Sequence, residues 1–375
     1  MAGQGKLGVF WGQDGLSFVE AMKGTPTHKA FLSFSSFRDA QGAVPVTQDA
    51  RLLEEIQKTV RNNAFTSTDI YFSIPSKDII VRWFVIPWMR PYEIQGVVAF
   101  EVRKYLPFPL EELVYTYYPS TITQSGMKQI GVVFVGIRKE TFQYYARVLT
   151  QSGLNVIFCE PSSMSLLRVL VFRKALDPQQ NTAILQINGD GGEIDIVSGG
   201  FVKFVRDFSL SSGGTAAFQD TEDFARAKLY NEVRISLDFF NRQHSEEVTR
   251  IIALTTADNR GLANGLMEDL GSAVVPVDVS QMVGGADQVG VGALSAFGIT
   301  LSGDVPEVID FNISEGEVEV AIRKKDQPVS KMPRHVWPAA SVIVSAMIIV
   351  LLWLAGQQQM GVRNAEIASL KKSLG

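Results

Sequence analysis

Three histidines and one cysteine are this chain's imidazole and thiol side chains: His28, His244, His335 and Cys159. Their separations match no zinc spacing, and no catalytic thiol signature surrounds the cysteine. A small buried residue beside an apolar strand is the plainer reading of Cys159. No G-x-S-x-G elbow and no P-loop is present. Gly290, Val291 and Gly292 begin a dinucleotide-type glycine pattern, but Ser295 stands where its last glycine belongs. Helix packing explains that pair better. Local motifs therefore offer no self-contained catalytic centre.

The elements that would position any site are easier to read. Residues 6–21 give two strands around a turn at Gly12–Gly15. Residues 50–62 show helical spacing through Leu52, Leu53, Ile56 and Val60. DIYFSIP and KDIIVRWFVIP are strands that end at Pro75 and Pro87. A helix opens at Pro91 and runs through Ile94, Val98, Val102 and Tyr105, and Pro107 closes it. Two β-rich runs follow with a turn at Ser125–Gly126, then a helix ending at Gly153, then the strand LNVIFCEP. The second half repeats this logic: TAILQI, a hairpin turning at Gly199–Gly200, and a helix through Ala225, Leu229, Val233, Leu237 and Phe240. RIIALTT, GLANGLMEDLG, AVVPVDV and VGVGALSAFGI then alternate strand and helix. Strands and helices mixed in both halves predict an α/β architecture with covered sheets.

Length and composition agree with this. The 375 residues suffice for two or three domain-sized units, and 46% hydrophobic with 20% charged residues is ordinary for a folded protein. A net charge of −4 gives no reason to expect nucleic acid as a partner. A single cysteine cannot form an internal disulfide, which points to a reducing compartment. MAGQGKLGVFW carries no long apolar core of a secretory signal, so the N-terminal bulk is expected in the cytoplasm.

Residues 336–355, VWPAASVIVSAMIIVLLWLA, carry no charge. As a helix they would reach roughly 30 Å, the thickness of a bilayer's hydrocarbon core. Trp337 and Trp353 lie near the ends, and Arg323, Lys324, Lys325, Lys331 and Arg334 precede the run. This predicts a single transmembrane helix with its N-terminal side cytoplasmic. Beyond it, Ile367, Leu370 and Leu374 form a seam like the start of a periplasmic coiled coil, and the chain is expected to be a truncated form of a longer one.

Two halves that each open with strand–turn–strand suggest the duplicated fold shared by actin, sugar kinases and Hsp70. The resemblance becomes specific at KYLPFPLEELVYTYY, residues 104–118, which resembles the "YIPFPLEE" segment of PilM, the actin-like protein of type IV pilus assembly. The match runs from about residue 6 to 303 and is strongest over 69–118. EVRISLDFFNRQ, residues 232–243, is similar to that family's helix in the second lobe. The resemblance implies an α/β, duplicated actin-like (ribonuclease H-like) ATPase fold with a small inserted subdomain, followed here by one transmembrane helix. Its divisions would be a first lobe at 1–75 and 159–180, an insertion at 76–158 and a second lobe at 181–303. A juxtamembrane linker at 304–335, the span at 336–355 and a periplasmic start at 356–375 would follow. That layout resembles GspL of type II secretion, or a fused PilM–PilN protein. DFNIS at 310–314 sits where GspL and PilN carry an "NL"-type motif, with Asn312 and Ile313 at the matching positions, bound in cis or acting as a plain linker.

The resemblance also tests for an ATP site, which needs metal-associated carboxylates and close-approach glycines. Against PilM's "GIDIGSSSVK", this chain reads GVFWGQDGLS: Phe10 replaces the acid, Ser17 replaces the lysine, and Gly12 is kept. Against "DIG" it reads Gln186, Ile187 and Asn188. Against "LSGG" it reads Leu254, Thr255, Thr256 and Ala257. Asp14 and Asp190 are nearby carboxylates that could substitute. The expectation is a pseudo-ATPase with no cofactor.

The function implied is an inner-membrane assembly protein of a type IV pilus or type II secretion machine. Its expected partners are a PilB- or GspE-like assembly ATPase, PilN/PilO- or GspM-like membrane proteins and a PilC- or GspF-like platform protein, in an oligomer. Pro107, Phe108, Pro109, Glu111 and Glu112 are candidate partner contacts, although the prolines and Phe108 could equally end a helix and plug a core. The alternative is an active, membrane-tethered nucleotide-binding protein of the FtsA or sugar-kinase type using ATP and Mg²⁺. A cell-division scaffold is disfavoured by the full span.

Overall fold

Two five-stranded sheets carry the same strand order. In this computed structural model, which describes residues 5–37, 49–124, 126–188, 191–210, 222–284 and 290–313, the first sheet comprises β1 (Lys6–Trp11), β2 (Gly15–Met22), β3 (Thr25–Ser33), β4 (Asp69–Ile74) and β8 (Asn155–Pro161). The second comprises β9 (Thr182–Asn188), β10 (Gly191–Ser198), β11 (Phe201–Ser209), β12 (Arg250–Thr255) and β13 (Val274–Asp278). The orders are β3-β2-β1-β4-β8 and β11-β10-β9-β12-β13. Each begins with an antiparallel meander and adds two parallel strands beside its first strand. Hydrophobic runs such as Ile251–Leu254 are buried on both faces, as parallel strands covered by helices require. The repeat is a duplication of one βββαβαβ-type plan.

Between the two parallel strands of the first sheet lies an insertion. β5 (Ile79–Pro87), β6 (Leu113–Gln124) and β7 (Met127–Arg138) form an antiparallel sheet of order β5-β7-β6, backed by α2 (Pro91–Val102). Pro91 takes the first helical position, where no backbone N–H is missed, and Arg90 N–H donates to the Glu93 side chain. Ile94, Val98 and Val102 are the buried face. The predicted turn at Gly199–Gly200 is present, both residues having positive φ.

The remaining helices are α1 (Asp49–Asn62), α3 (Lys139–Gln151), α4 (Ser162–Phe172), α5 (Glu222–His244), α6 (Arg260–Leu270), α7 (Val279–Val283) and α8 (Gly292–Thr300). The sequence places α8 in the second-lobe range 181–303, but it packs on β1, β2 and α4 of the first lobe. Its small residues explain this. A methyl group on Gly8 would lie 1.9 Å from the Ala296 carbonyl oxygen, and one on Gly298 would lie 1.9 Å from that of Ser165. Glycine on the sheet and glycine on the helix let three layers meet at backbone distance. Likewise β8 opens at Asn155, so the chain rejoins the first sheet before the expected boundary at 159.

The apolar run 336–355, the seam through Leu374 and Asp190 lie outside the described residues. Among the described residues no helix is long and apolar enough to cross a membrane.

Candidate functional site

The first of the three turns expected at a nucleotide cleft joins β1 to β2, and Gly12 N–H closes it on the Gly15 carbonyl at 2.9 Å. Phe10 faces the start of α8, where a methyl group on Gly292 would lie 2.8 Å from its ring and 2.9 Å from Ser17 Oγ. The ring also lies over Gly12. The first turn is thus packed against the apolar carbon of Phe10. Ser17 is buried, and its hydroxyl carries no charge to replace the expected lysine.

Gln186, Asn188, Thr255, Thr256 and Ala257 come together at the ends of β9 and β12, which pair with Leu254 opposite Gln186. Asn259 ties these ends. Its Oδ1 accepts from Thr256 N–H at 2.8 Å, and its Nδ2 donates to the carbonyls of Ile187 and Leu254 at 3.0 and 3.1 Å. Asn259 was not a candidate from sequence, because one asparagine in a turn carries no motif. It satisfies strand-end groups internally.

Beside Gln186 sits an acidic group that sequence reasoning also missed. Glu193 Oε1 accepts from Ser76 Oγ at 2.8 Å and Gln186 Nε2 at 3.0 Å, and Ser76 Oγ lies 2.9 Å from Ser162 Oγ. Asp195, two residues along β10, is fully buried, and neither of its oxygens has a hydrogen-bond donor. Asp207 on β11 stands opposite Glu193 in register. Burial, then the charge of Asp207, pushes Glu193 up to about 7. Burial raises Asp207 to about 6 and lifts Asp195 well above the usual carboxylate range. The signal was available in GGEIDIVS: acids two apart on an otherwise apolar strand share a face.

A third feature lies on the outer edge of β8. Ile313 N–H donates to the Cys159 carbonyl at 2.7 Å, and Cys159 N–H donates to Asn312 Oδ1 at 3.2 Å. Ile313 is fully buried, and the Phe311 ring meets Tyr118 of β6 edge-on at 6.4 Å. Behind this segment Arg168 is completely buried in α4. Its guanidinium donates to both carboxylate oxygens of Glu160 and to Asp310 Oδ1 at 2.9 Å. Burial works against the guanidinium's charge, yet Glu160 and Asp310 outweigh it and hold the pKa above its ordinary value. Burial pushes Glu160 up, offset in part by Arg168. Asp310 Oδ2 also accepts from Gly303 N–H at 3.0 Å. Asn312 and Ile313 are thus held within the first lobe, and burial raises the Cys159 thiol away from reactivity.

The 107–112 segment divides between surface and core. Pro107, Pro109, Glu111 and Glu112 are exposed, while Leu110 is buried. Phe108 is half-buried against the core of the insertion, with the Arg138 guanidinium 5.3 Å from its ring centre. Glu111 pairs with Arg103 at 2.7 Å, and Lys139 Nζ donates to its carbonyl. Among the described residues no group of three or more His, Cys, Asp or Glu could hold a metal ion.

No protein-family model and no curated protein matches the sequence. Solved structures do. A chain of the PilM–PilN type IV pilus biogenesis complex aligns with a TM-score of 0.65 and 22% identity, over 80% of this chain and 98% of that one. The cytoplasmic domain of EpsL, an inner-membrane component of the type II secretion system of Vibrio cholerae, aligns at 0.46 and 9% identity, over 83% and 98%. An archaeal actin homolog aligns at 0.40 and 9% identity, over 80% and 99%. The repeated strand order, the insertion in the first half and the likeness to the PilM–PilN structure together give this chain the duplicated actin-like α/β fold.

Proposed function

We propose that this protein is an inner-membrane assembly component of a type IV pilus or type II secretion machine that works by mechanical coupling, without hydrolysing ATP. The observation that carries the reading is the seat of residues 310–313 on β8. The chain is bound to its own actin-like body at a point that precedes the basic segment and the apolar run 336–355. Motion of such a body would reach whatever follows residue 313 through the chain itself. Phe10 over the first turn and Asn259 across the other two support the absence of hydrolysis. The exposed Glu111 and Glu112 would face the assembly ATPase. PilN/PilO- or GspM-like proteins and a PilC- or GspF-like platform protein would assemble around the membrane segment, in an oligomer with the N-terminal body cytoplasmic.

The test is reconstitution of the full chain in lipid nanodiscs with a PilB- or GspE-like assembly ATPase. Co-elution that is independent of added nucleotide is expected. Failure to associate overturns the coupling role, and saturable Mg²⁺-dependent ATP binding by the chain alone overturns the pseudo-enzyme reading.

A further inference from the structure

The carboxylates of β10 lie at the joint between the two lobes. Glu193 belongs to the second lobe, but its carboxylate accepts from Ser76 at the end of β4, which bonds Ser162 at the start of α4. Ser162 belongs to the first lobe and Ser76 to the turn that leaves its strand β4 ahead of β5, so Glu193 bonds across the joint. Asp195 is fully buried, with no donor on either oxygen. As a carboxylate it would be a buried charge without a partner, which folded proteins avoid.

No cation bears on Asp195. β9 contributes Gln186, already bonded to Glu193. β11 contributes Asp207, a further acid. The turn after β4 contributes Ser76, Lys77 and Asp78. Lys77 acts on Asp207, and Asp78 accepts from the Tyr145 hydroxyl. α4 contributes Ser162, bonded to Ser76, and Ser163, whose hydroxyl has no partner. The remaining way to satisfy Asp195 is a proton of its own, donated to Glu193.

We propose that Glu193 and Asp195 share one proton and that this proton latches the two lobes together, so that its loss opens the joint. With the proton present, the carboxyl of one acid donates to the carboxylate of the other, and Glu193 still accepts from Ser76. Without it, two adjacent charges plus Asp207 repel in a dry interface. Relief comes from admitting water between β10 and the Ser76–Ser162 pair, which separates the lobes. The pilus or secretion reading is not needed for this. Burial raises both carboxyls, lifting Asp195 well above the usual carboxylate range, which puts loss of the shared proton on the alkaline side.

The experiment measures the distance between the lobes. Glu54→Cys on α1 and Asp238→Cys on α5, both at exposed positions, carry spin labels in the full chain in nanodiscs, and the buried Cys159 stays unlabelled. Pulsed electron spin resonance from about pH 5 to about pH 9 is expected to give one narrow distance at the acidic end. A longer, broader distribution is expected at the basic end. An unchanged wild-type distribution across that range overturns the latch. Asp195→Asn supplies a permanent N–H donor to Glu193 and is expected to keep the narrow distance throughout. Should that variant fail to fold, Glu193→Gln makes the same substitution from the other side. Retention of the wild-type midpoint in whichever variant folds overturns the proposal.

Discussion

The backbone N–H of Cys159 donates to the side-chain oxygen of Asn312 at 3.2 Å, joining positions 153 residues apart. An asparagine side chain stands in for the backbone of a neighbouring strand, while the next residue, Ile313, supplies a true backbone bond at 2.7 Å. The edge of the first sheet is thereby completed by the end of the described chain.

Arg168 anchors this arrangement, and its removal has a large expected cost. Arg168→Met leaves Glu160 buried without a cation and should destabilise the protein by about 3–5 kcal/mol. Pairing it with Glu160→Gln should recover much of that loss, as read by urea denaturation. Asp310→Ala should cost only about 1 kcal/mol, since its side chain is 36% exposed and solvent screens it. That variant should instead expose residues 304–313 to limited proteolysis.

Gly8→Ala tests the seating of α8. The added carbon meets the Ala296 carbonyl at 1.9 Å, and backbone cannot swing aside as a side chain would. Overpacking of this kind typically costs about 1–3 kcal/mol. A fall in thermal midpoint of several degrees is expected, and an unchanged midpoint would show that α8 is not held at backbone distance.

ATP is expected to leave stability unchanged. A ligand present at a hundred times its dissociation constant would stabilise the fold by about 2.7 kcal/mol. Thermal melts with and without millimolar Mg-ATP should superimpose. Phe10→Asp alone should not change this, because Gln186 and Asn188 still lack the second carboxylate and glycine.

Stability should fall as pH rises through the weakly acidic range. Glu193 and Asp207 have folded pKa values above their unfolded ones, so their stabilising effect is complete below about 4 and is lost by about 7. For Glu193 the loss is on the order of 3 kcal/mol. Asp278, held low by Ser280, works in the opposite sense only as pH drops below the usual carboxylate range. Urea midpoints at pH 5 should exceed those at pH 8.

Charge reversal at Glu111 and Glu112 should weaken the proposed association with an assembly ATPase while leaving the thermal midpoint unchanged. Both side chains are exposed, so their pairs with Arg103 and Arg138 are solvent-screened. Equal binding by the doubly reversed chain would move the partner surface elsewhere.

The strand and helix alternation was readable because most elements bury one face. α4 was not read: residues from Ser162 to Leu170 are all buried, so no polar face marks its period. β3 was missed for the opposite reason, being largely exposed and strand-like only through pairing with β2. Residue substitutions drew attention to the turns after β9 and β12, but not to Asn259, which ties them together. Arg168 hid in plain view, since an arginine inside SLLRVLVF is ordinarily expected to reach solvent. The joint at Glu193 depends on a contact 117 positions away, at Ser76, which local spacing does not register.

The segment ending at Ile313 also governs how this protein behaves in bulk solution. Ile157, on the same edge strand, is 41% exposed. A chain cut before residue 304 would bare the rest of β8 as well, offering its unpaired N–H and carbonyl groups to any neighbour with a free strand. The strap that holds Arg168 and Cys159 is therefore also a guard against self-aggregation.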